Sequence, residues 1–227
     1  MYHPSACASR PPYPGDVGAT PEDLVEVLMA EGIRDARILQ AFREVPRELF
    51  VPPEFRALAY EDRPIPIPHG QVTTQPSLIA RMIEALDLRG NEAVLEIGTG
   101  YGFQTALLAK LARFVWSIER YADLSEAARK NLRSARISNV ELVVGDGTLG
   151  LPEHAPYDAI VVSAAFPKVP EPLAEQLAVG GRLVQPVGPG GHDEVVLFEK
   201  TPQGLVRRRR ITWAHFVRLY GRHGFQD

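Results

Sequence analysis

Cysteine is almost missing from this chain: Cys7 is the single one among 227 residues. That excludes an internal disulfide framework and a cysteine-based zinc site, and it suits a reducing compartment, the cytoplasm. A dominant sign of charge is missing too. Lys and Arg number 25 against 28 Asp and Glu, a formal net charge of −3. This argues against nucleic acid as a default partner. Long apolar runs are absent: none approaches the roughly 20 residues needed to cross a bilayer. No membrane partner and no metal are expected, and a monomer is. Residues 1–18 lack an apolar core of signal-peptide type. They are rich in Pro, Gly and Ser, so residues 1–19 read as a disordered tail. What is present is ordinary for a globular chain, with 45% hydrophobic and 23% charged residues. One domain is the default at this length, spanning 20–227.

Thr20-Pro21-Glu22-Asp23 predicts a helix start: a capping hydroxyl, Pro in the first turn, then acids favoured by the helix dipole. Leu24, Val25, Val27 and Leu28 form its buried stripe, and Gly32 ends it. A second helix is expected from Asp35 through Ile38, Leu39 and Phe42 to the break at Val45-Pro46. The segment Pro52–Pro76 is proline-rich and reads as irregular. It is too long for a plain connection, which points to a functional loop. A helix then carries Leu78, Ile79, Met82, Ile83 and Leu86.

From Glu92 short strands alternate with helices. Strands are predicted near 92–97, 114–118, 140–144, 158–163 and 182–187, and helices near 103–112, 123–134 and 170–178. Such alternation, with apolar strands, implies a parallel sheet covered by helices on both faces. Asp193–Lys200 and Leu205–Val217 read as an antiparallel strand pair joined at Pro-Gln-Gly. Residues 20–90 are thus a helical and loop elaboration, and 91–227 the α/β core. The run Arg207–Arg210 lies inside the last strand pattern, where alternation is expected to divide it between two faces.

Residues 94–105, Val-Leu-Glu-Ile-Gly-Thr-Gly-Tyr-Gly-Phe-Gln-Thr, carry the main chemical signal. Gly98, Gly100 and Gly102 separate a buried strand from a helix, where a ligand can approach bare backbone. The dinucleotide fingerprint G-x-G-x-x-G is not met, because position 103 is Phe. Glu96 stands two residues before the first glycine. A carboxylate there disfavours a pyrophosphate and favours a cationic ligand. Glu119 ends the next strand, about 20 residues past the glycines, a place suited to ribose hydroxyls. Asp146, before Gly147, ends the third and suits an adenine amino group. All three acids fall at strand C-terminal ends, where open α/β sheets bind ligands.

The pattern E-x-G-x-G-x-G at Glu96–Gly102 resembles motif I of class I S-adenosylmethionine-dependent methyltransferases. Residues 45–52 (VPRELFVP), 58–62 (LAYED), 64–67 (PIPI) and 70–76 (GQVTTQP) narrow this. They resemble the protein-L-isoaspartate O-methyltransferase family, and the resemblance runs from about residue 24 to about 221. It implies an α/β, doubly wound, Rossmann-like methyltransferase sheet with the N-terminal helical elaboration and the C-terminal antiparallel pair. It also implies S-adenosyl-L-methionine as cofactor, isoaspartyl proteins as substrate, and methylation of the isoaspartyl α-carboxylate as the first step of repair.

The cofactor residues implied are Gln71, Val72, Thr73, Thr74, Glu96, Ile97, Gly98, Thr99, Gly100, Gly102, Gln104, Thr105, Glu119, Arg120, Asp146 and Gly147. Thr73, Thr74, Phe216 and Val217 would meet the substrate, with Thr74 as the catalytic hydroxyl. Two positions depart from the family. Thr74 stands where Ser is usual, and Arg218 stands in a Phe-Val-Pro-Leu-like segment where Pro is usual. Arg218 either pairs with a substrate carboxylate or lies exposed, and Thr74 also suits a helix N-cap. His69 reads as a loop hydrogen-bonder. Two alternatives stand beside the main reading. One is a same-fold carboxyl methyltransferase acting on another acceptor, such as a natural-product peptide. The other is a non-catalytic cofactor-binding protein.

Overall fold

A computed structural model describes residues 19–226. The tail expected over 1–19, Ala19 excepted, lies outside the described residues, as does Cys7. The elements run α1 (Pro21–Ala30), α2 (Ala36–Glu44), β1 (Ile65–Ile67), β2 (Gln71–Thr73), α3 (Pro76–Leu86), β3 (Ala93–Ile97) and α4 (Phe103–Leu111). Then come β4 (Phe114–Glu119), α5 (Ala122–Ser134), β5 (Val140–Val144), β6 (Tyr157–Val162), α6 (Glu171–Gln176), β7 (Leu177–Val187), β8 (Asp193–Thr201) and β9 (Gly204–Ala214).

Seven strands form one sheet in the order β5-β4-β3-β6-β7-β8-β9. Strands β3 to β7 are mutually parallel, β8 is antiparallel to β7, and β9 to β8. Successive side chains point to opposite faces of a strand. Val94, Val115, Ala159 and Val161 accordingly pack with α1–α4 and with Leu132 of α5. Leu95, Ile97, Ile118, Ile160 and Val162 pack on the other face with Leu173 of α6 and with Leu219. Both faces of β3 are covered, and all five of its residues are buried. The glycine turn therefore follows a strand fixed from both sides, as expected of a Rossmann-like methyltransferase sheet.

Helix α1 starts at the expected capping hydroxyl of Thr20, and the Asp23 side chain bonds back to it to complete a capping box. Helix α4 is buried along nearly its whole length, with Lys110 its one exposed residue. That suits a helix apolar all round, and it lies between the sheet and α2.

Three expectations change. The helix near 170–178 ends at Gln176, and β7 begins at Leu177 rather than near 182. A register shift separates Tyr157↔Leu177 from Ala159↔Arg182, and Gly180 there takes φ 84°. The glycine pair Gly180-Gly181 marks a bulge, not the end of a helix. Next, Pro52–Pro76 is not simply irregular. It holds a 3-10 turn over Pro53–Leu58 and the β1–β2 hairpin, with Ile65 opposite Thr73 and Ile67 opposite Gln71. Finally, Arg207–Arg210 do not divide into an outer and an inner pair: all four are exposed. Phe198 pairs with Arg207 but Leu197 with Arg209, and Val196 pairs with Arg210 but Val195 with Thr212. Arg208 and Ile211 are extra residues, and the bulges break the alternation.

Candidate active site

The glycine turn is required by backbone geometry. Gly98, Gly100 and Gly102 have φ of 98°, 54° and 91°, the left-handed region that side chains disfavour. A Cβ at Gly98 would stand 3.3 Å from the Cβ of Ser163, and one at Gly102 3.2 Å from that of Ala128. The turn thus brings bare backbone to the sheet end where β3 meets β6, the point from which strand order departs in both directions.

Glu96 lies behind this turn. Strand alternation places it on the α4 face, and it is 0% exposed. Its carboxylate accepts hydrogen bonds from Gln104 Nε2 at 3.0 Å, Thr105 Oγ1 at 2.5 Å and Ser117 Oγ at 2.6 Å. Burial raises its pKa to about 7, against the opposing pull of those three donors. The expectation of a carboxylate facing a cationic ligand needs correction in its geometry. Glu96 holds Gln104, and Gln104 reaches the cavity. Gln104 Nε2 also donates to Ser163 Oγ at 3.0 Å, while its buried Oε1 has no partner among the described residues.

A cavity of about 420 Å³ opens above the turn. Of the residues singled out from sequence, Gln71, Val72, Thr73, Thr74, Gly98, Thr99, Gly100, Gly102, Gln104, Glu119, Phe216 and Val217 line it. Glu119 accepts from Gly100 N at 2.9 Å and Tyr121 N at 3.1 Å. A carboxylate offers about four lone-pair positions, so two remain for a ligand.

Six others do not line the cavity. Besides Glu96, Ile97 packs into the opposite core and Thr105 is spent on Glu96. Arg120 lies over the rings of Tyr121 and Tyr220, at 5.2 and 5.1 Å. Asp146 accepts from Thr148 N at 2.9 Å, Thr148 Oγ1 at 2.6 Å and Arg222 N at 2.7 Å. It ties the C-terminal segment to the end of β5, a contact 76 positions away along the chain. Gly147 is tight against Ile97, where a Cβ would meet Cγ2 at 2.4 Å.

Around Thr74 the loop is held by residues the sequence did not single out for this. Thr74 is not the N-cap of α3; Gln75 is, and its side chain does not cap the helix. Asp62 supplies the cap, accepting from Ser77 N at 2.8 Å and Gln75 Nε2 at 2.9 Å. The Thr73 hydroxyl is occupied by Ile65 N and Arg47 Nη2, both at 3.2 Å. Arg47 is 0% exposed. It donates to the carbonyls of Ala59, Glu61 and Arg63 at 2.7, 3.0 and 3.1 Å. Burial lowers its pKa to about 10, which still leaves it cationic near neutrality. The sequence signal was the charged pair Arg47-Glu48 inside the otherwise apolar run from Val45 to Val51.

Ser163, Trp213 and His215 also line the cavity and were missed. Ser163 follows the apolar run of β6 at the strand's C-terminal end, a position that could have marked it. Arg218 does not enter the cavity; its Nε donates to Pro189 O at 3.0 Å and it lies 5.0 Å over the Phe225 ring. His69 bonds Asp123 at 2.8 Å and stacks on Tyr121 at 4.0 Å, as a loop hydrogen-bonder would.

The chain was compared with known proteins. A profile of the family Protein-L-isoaspartate(D-aspartate) O-methyltransferase matches residues 19–224. The protein-L-isoaspartate O-methyltransferase of Methanoculleus marisnigri is 50% identical over 206 residues, covering 90% of this chain and 93% of that one. That of Aeropyrum pernix is 49% identical over 209 residues, covering 90% and 80%. Among solved structures, a protein-L-isoaspartate O-methyltransferase superposes with a TM-score of 0.79 at 32% identity, over 90% of this chain and 67% of that one. A Plasmodium falciparum protein described by the same family name, solved in complex with S-adenosyl-L-homocysteine, shares the fold. Its TM-score is 0.77 at 22% identity, over 89% and 99% of the two chains. With nearly all of its described length matched at this level, the chain belongs to the protein-L-isoaspartate(D-aspartate) O-methyltransferase family.

Proposed function

We propose that this chain transfers a methyl group from S-adenosyl-L-methionine to the α-carboxylate of L-isoaspartyl residues in damaged proteins, opening their repair. The observation that carries the reading is the single cavity wall shared by the Thr73–Thr74 loop, the glycine turn and the Phe216–Val217 segment. Such a wall brings a carboxylate acceptor and a cofactor into one enclosure.

The residues suit the cofactor. The glycine turn offers bare backbone, Glu119 keeps two acceptor positions, and Gln104 Oε1, without a partner among the described residues, suits a donor such as an ammonium. When bound, the cofactor supplies an electrophilic methyl group on a positively charged sulfur. A substrate carboxylate has a pKa of about 4 and is already an anion near neutrality. The chain therefore has no proton to remove. Its task is orientation and exclusion of water, effects that reach several kcal/mol when reacting atoms are held in line. Thr74, half-buried in the wall, offers the acceptor a hydroxyl; Gly98–Gly102 fix the donor side. The shared wall supports Thr74 as the catalytic hydroxyl of this reading.

We take residues 20–227 as one catalytic unit. Supporting this, side chains of α1–α3 and of the sheet pack in one hydrophobic cluster. Among the described residues no helix is long and apolar enough to cross a membrane. A cytoplasmic monomer without a nucleic-acid partner is the accompanying proposal, in keeping with one cysteine and a net charge of −3.

The test is product analysis. Incubated with labelled cofactor, an isoaspartyl peptide should gain a base-labile methyl ester and then yield a mixture of aspartyl and isoaspartyl forms. A stable methyl group on nitrogen or sulfur would refute the reading.

A further inference from the structure

An isoaspartate is one residue of a longer chain, so that chain must leave the cavity across its rim. On one side the rim is formed by the end of β9 and the residues after it, Thr212–Phe216. Trp213 stands there 47% exposed. Its indole is not loose: the His192 ring stacks on it at 4.7 Å with 7° between planes, and the Arg210 guanidinium lies 5.2 Å from its ring. His215 adds an edge contact to His192 at 5.8 Å. A large aromatic held in one orientation gives contact area at low entropic cost.

Next to it the strand carries Arg207–Arg210. Arg207 pairs with Glu194, and Arg208 with Glu199 at 2.9 Å. Arg209 and Arg210 have no carboxylate partner among the described residues. Across the mouth, Glu31 and Arg81 neutralise each other at 2.5 Å. The unbalanced charge at this rim is therefore positive, although the whole chain is negative. The edge of β9 does not invite simple strand addition. Its two bulges break the run of evenly spaced backbone groups that pairing needs. Recognition here must come from side chains.

We propose that Trp213 and Arg210 form a ledge that holds the substrate segment beside the isoaspartyl residue and favours acidic side chains in it. The inference rests on the isoaspartyl reading above and names the substrate class within it. An exposed charge pair is weak, so the preference is modest. One such pair gives roughly a twofold to fivefold difference, and salt reduces it.

The experiment uses two isoaspartyl peptides of equal length, with glutamates or lysines flanking the isoaspartate. Turnover and calorimetric binding are measured for each with the intact enzyme and with R210E. The expected result is a kcat/KM ratio favouring the glutamate peptide by about twofold to fivefold at low salt, arising in KM and shrinking as salt rises. R210E should invert that ratio, and W213A should raise KM for both peptides. Melting curves confirm that each variant is folded. If R210E is not, R210Q replaces it, with a ratio near one expected. A ratio at or below one in the unaltered enzyme, or one indifferent to charge reversal, would overturn the ledge. Absence of turnover on both peptides would overturn the isoaspartyl reading instead, while the binding ratio still decides the ledge.

Discussion

Glu96 is held between two opposed effects, full burial and three hydrogen-bond donors, and burial wins in raising its pKa to about 7. In the unfolded chain this group titrates near 4.5. Between those values the folded state holds more protons than the unfolded one, so stability falls as pH rises through the window. We predict that E96Q flattens the dependence of melting temperature on pH between about 4.5 and 7. An unchanged slope would place its source elsewhere. The same variant frees Gln104 from its anchor and should weaken cofactor binding by calorimetry. Arg47 acts on the opposite wall. R47M would strip donors from the carbonyls of Ala59, Glu61 and Arg63, at roughly 1–3 kcal/mol for each acceptor left buried without a partner. A denaturant midpoint unchanged by R47M would refute that account. Thr74 and Ser share a hydroxyl, so T74S should keep or raise the rate on an isoaspartyl peptide; a large loss would give the extra methyl a positive role. The glycines and Glu96 were legible because their residue types are restrictive. The direction in which Glu96 points was not, since it depends on which face α4 covers.

Helix α3 and the segment before it act as one device. The helix begins at the cavity wall, and its capping carboxylate comes from Asp62, which is 15 positions upstream of the Ser77 donor. We predict that D62A costs about 1 kcal/mol of stability, as loss of an N-cap does. It should also raise KM more than it lowers kcat, because the Thr74 loop is tied down at that point. Equal KM values in D62A and the parent enzyme would contradict this. The principal helices and strands could be read from apolar spacing and caps, as at Thr20 and Asp35. The β1–β2 hairpin could not, because three-residue strands containing Pro66 carry no usable alternation. Asp146 has a partner that was hidden for a different reason. Its place at a strand end suits an adenine, but Arg222, far along the chain, takes one of its oxygens. The bulges of β9 were likewise hidden, since a bulge depends on the partner strand.

The molecule as a whole places one covered central strand between two cores and gathers its chemistry at that strand's C-terminal end. The fold class was legible because alternating strands and helices permit few topologies, whereas the strand order came from the structure. The acceptor was not legible from the core, since its specificity lies in the loops that meet above it. A ligand that binds only the folded chain should stabilise all of it, by about 2.7 kcal/mol at a hundredfold excess over Kd. S-adenosyl-L-homocysteine is predicted to raise the melting temperature accordingly, and no shift at saturating concentration would deny the cofactor site. The central claim is tested most directly with two peptides identical but for one residue, isoaspartate in one and aspartate in the other, and a labelled methyl donor. The account predicts methyl ester on the isoaspartyl peptide and essentially none on its partner. Equal labelling of both, or none on either while the cofactor analogue binds, would contradict it.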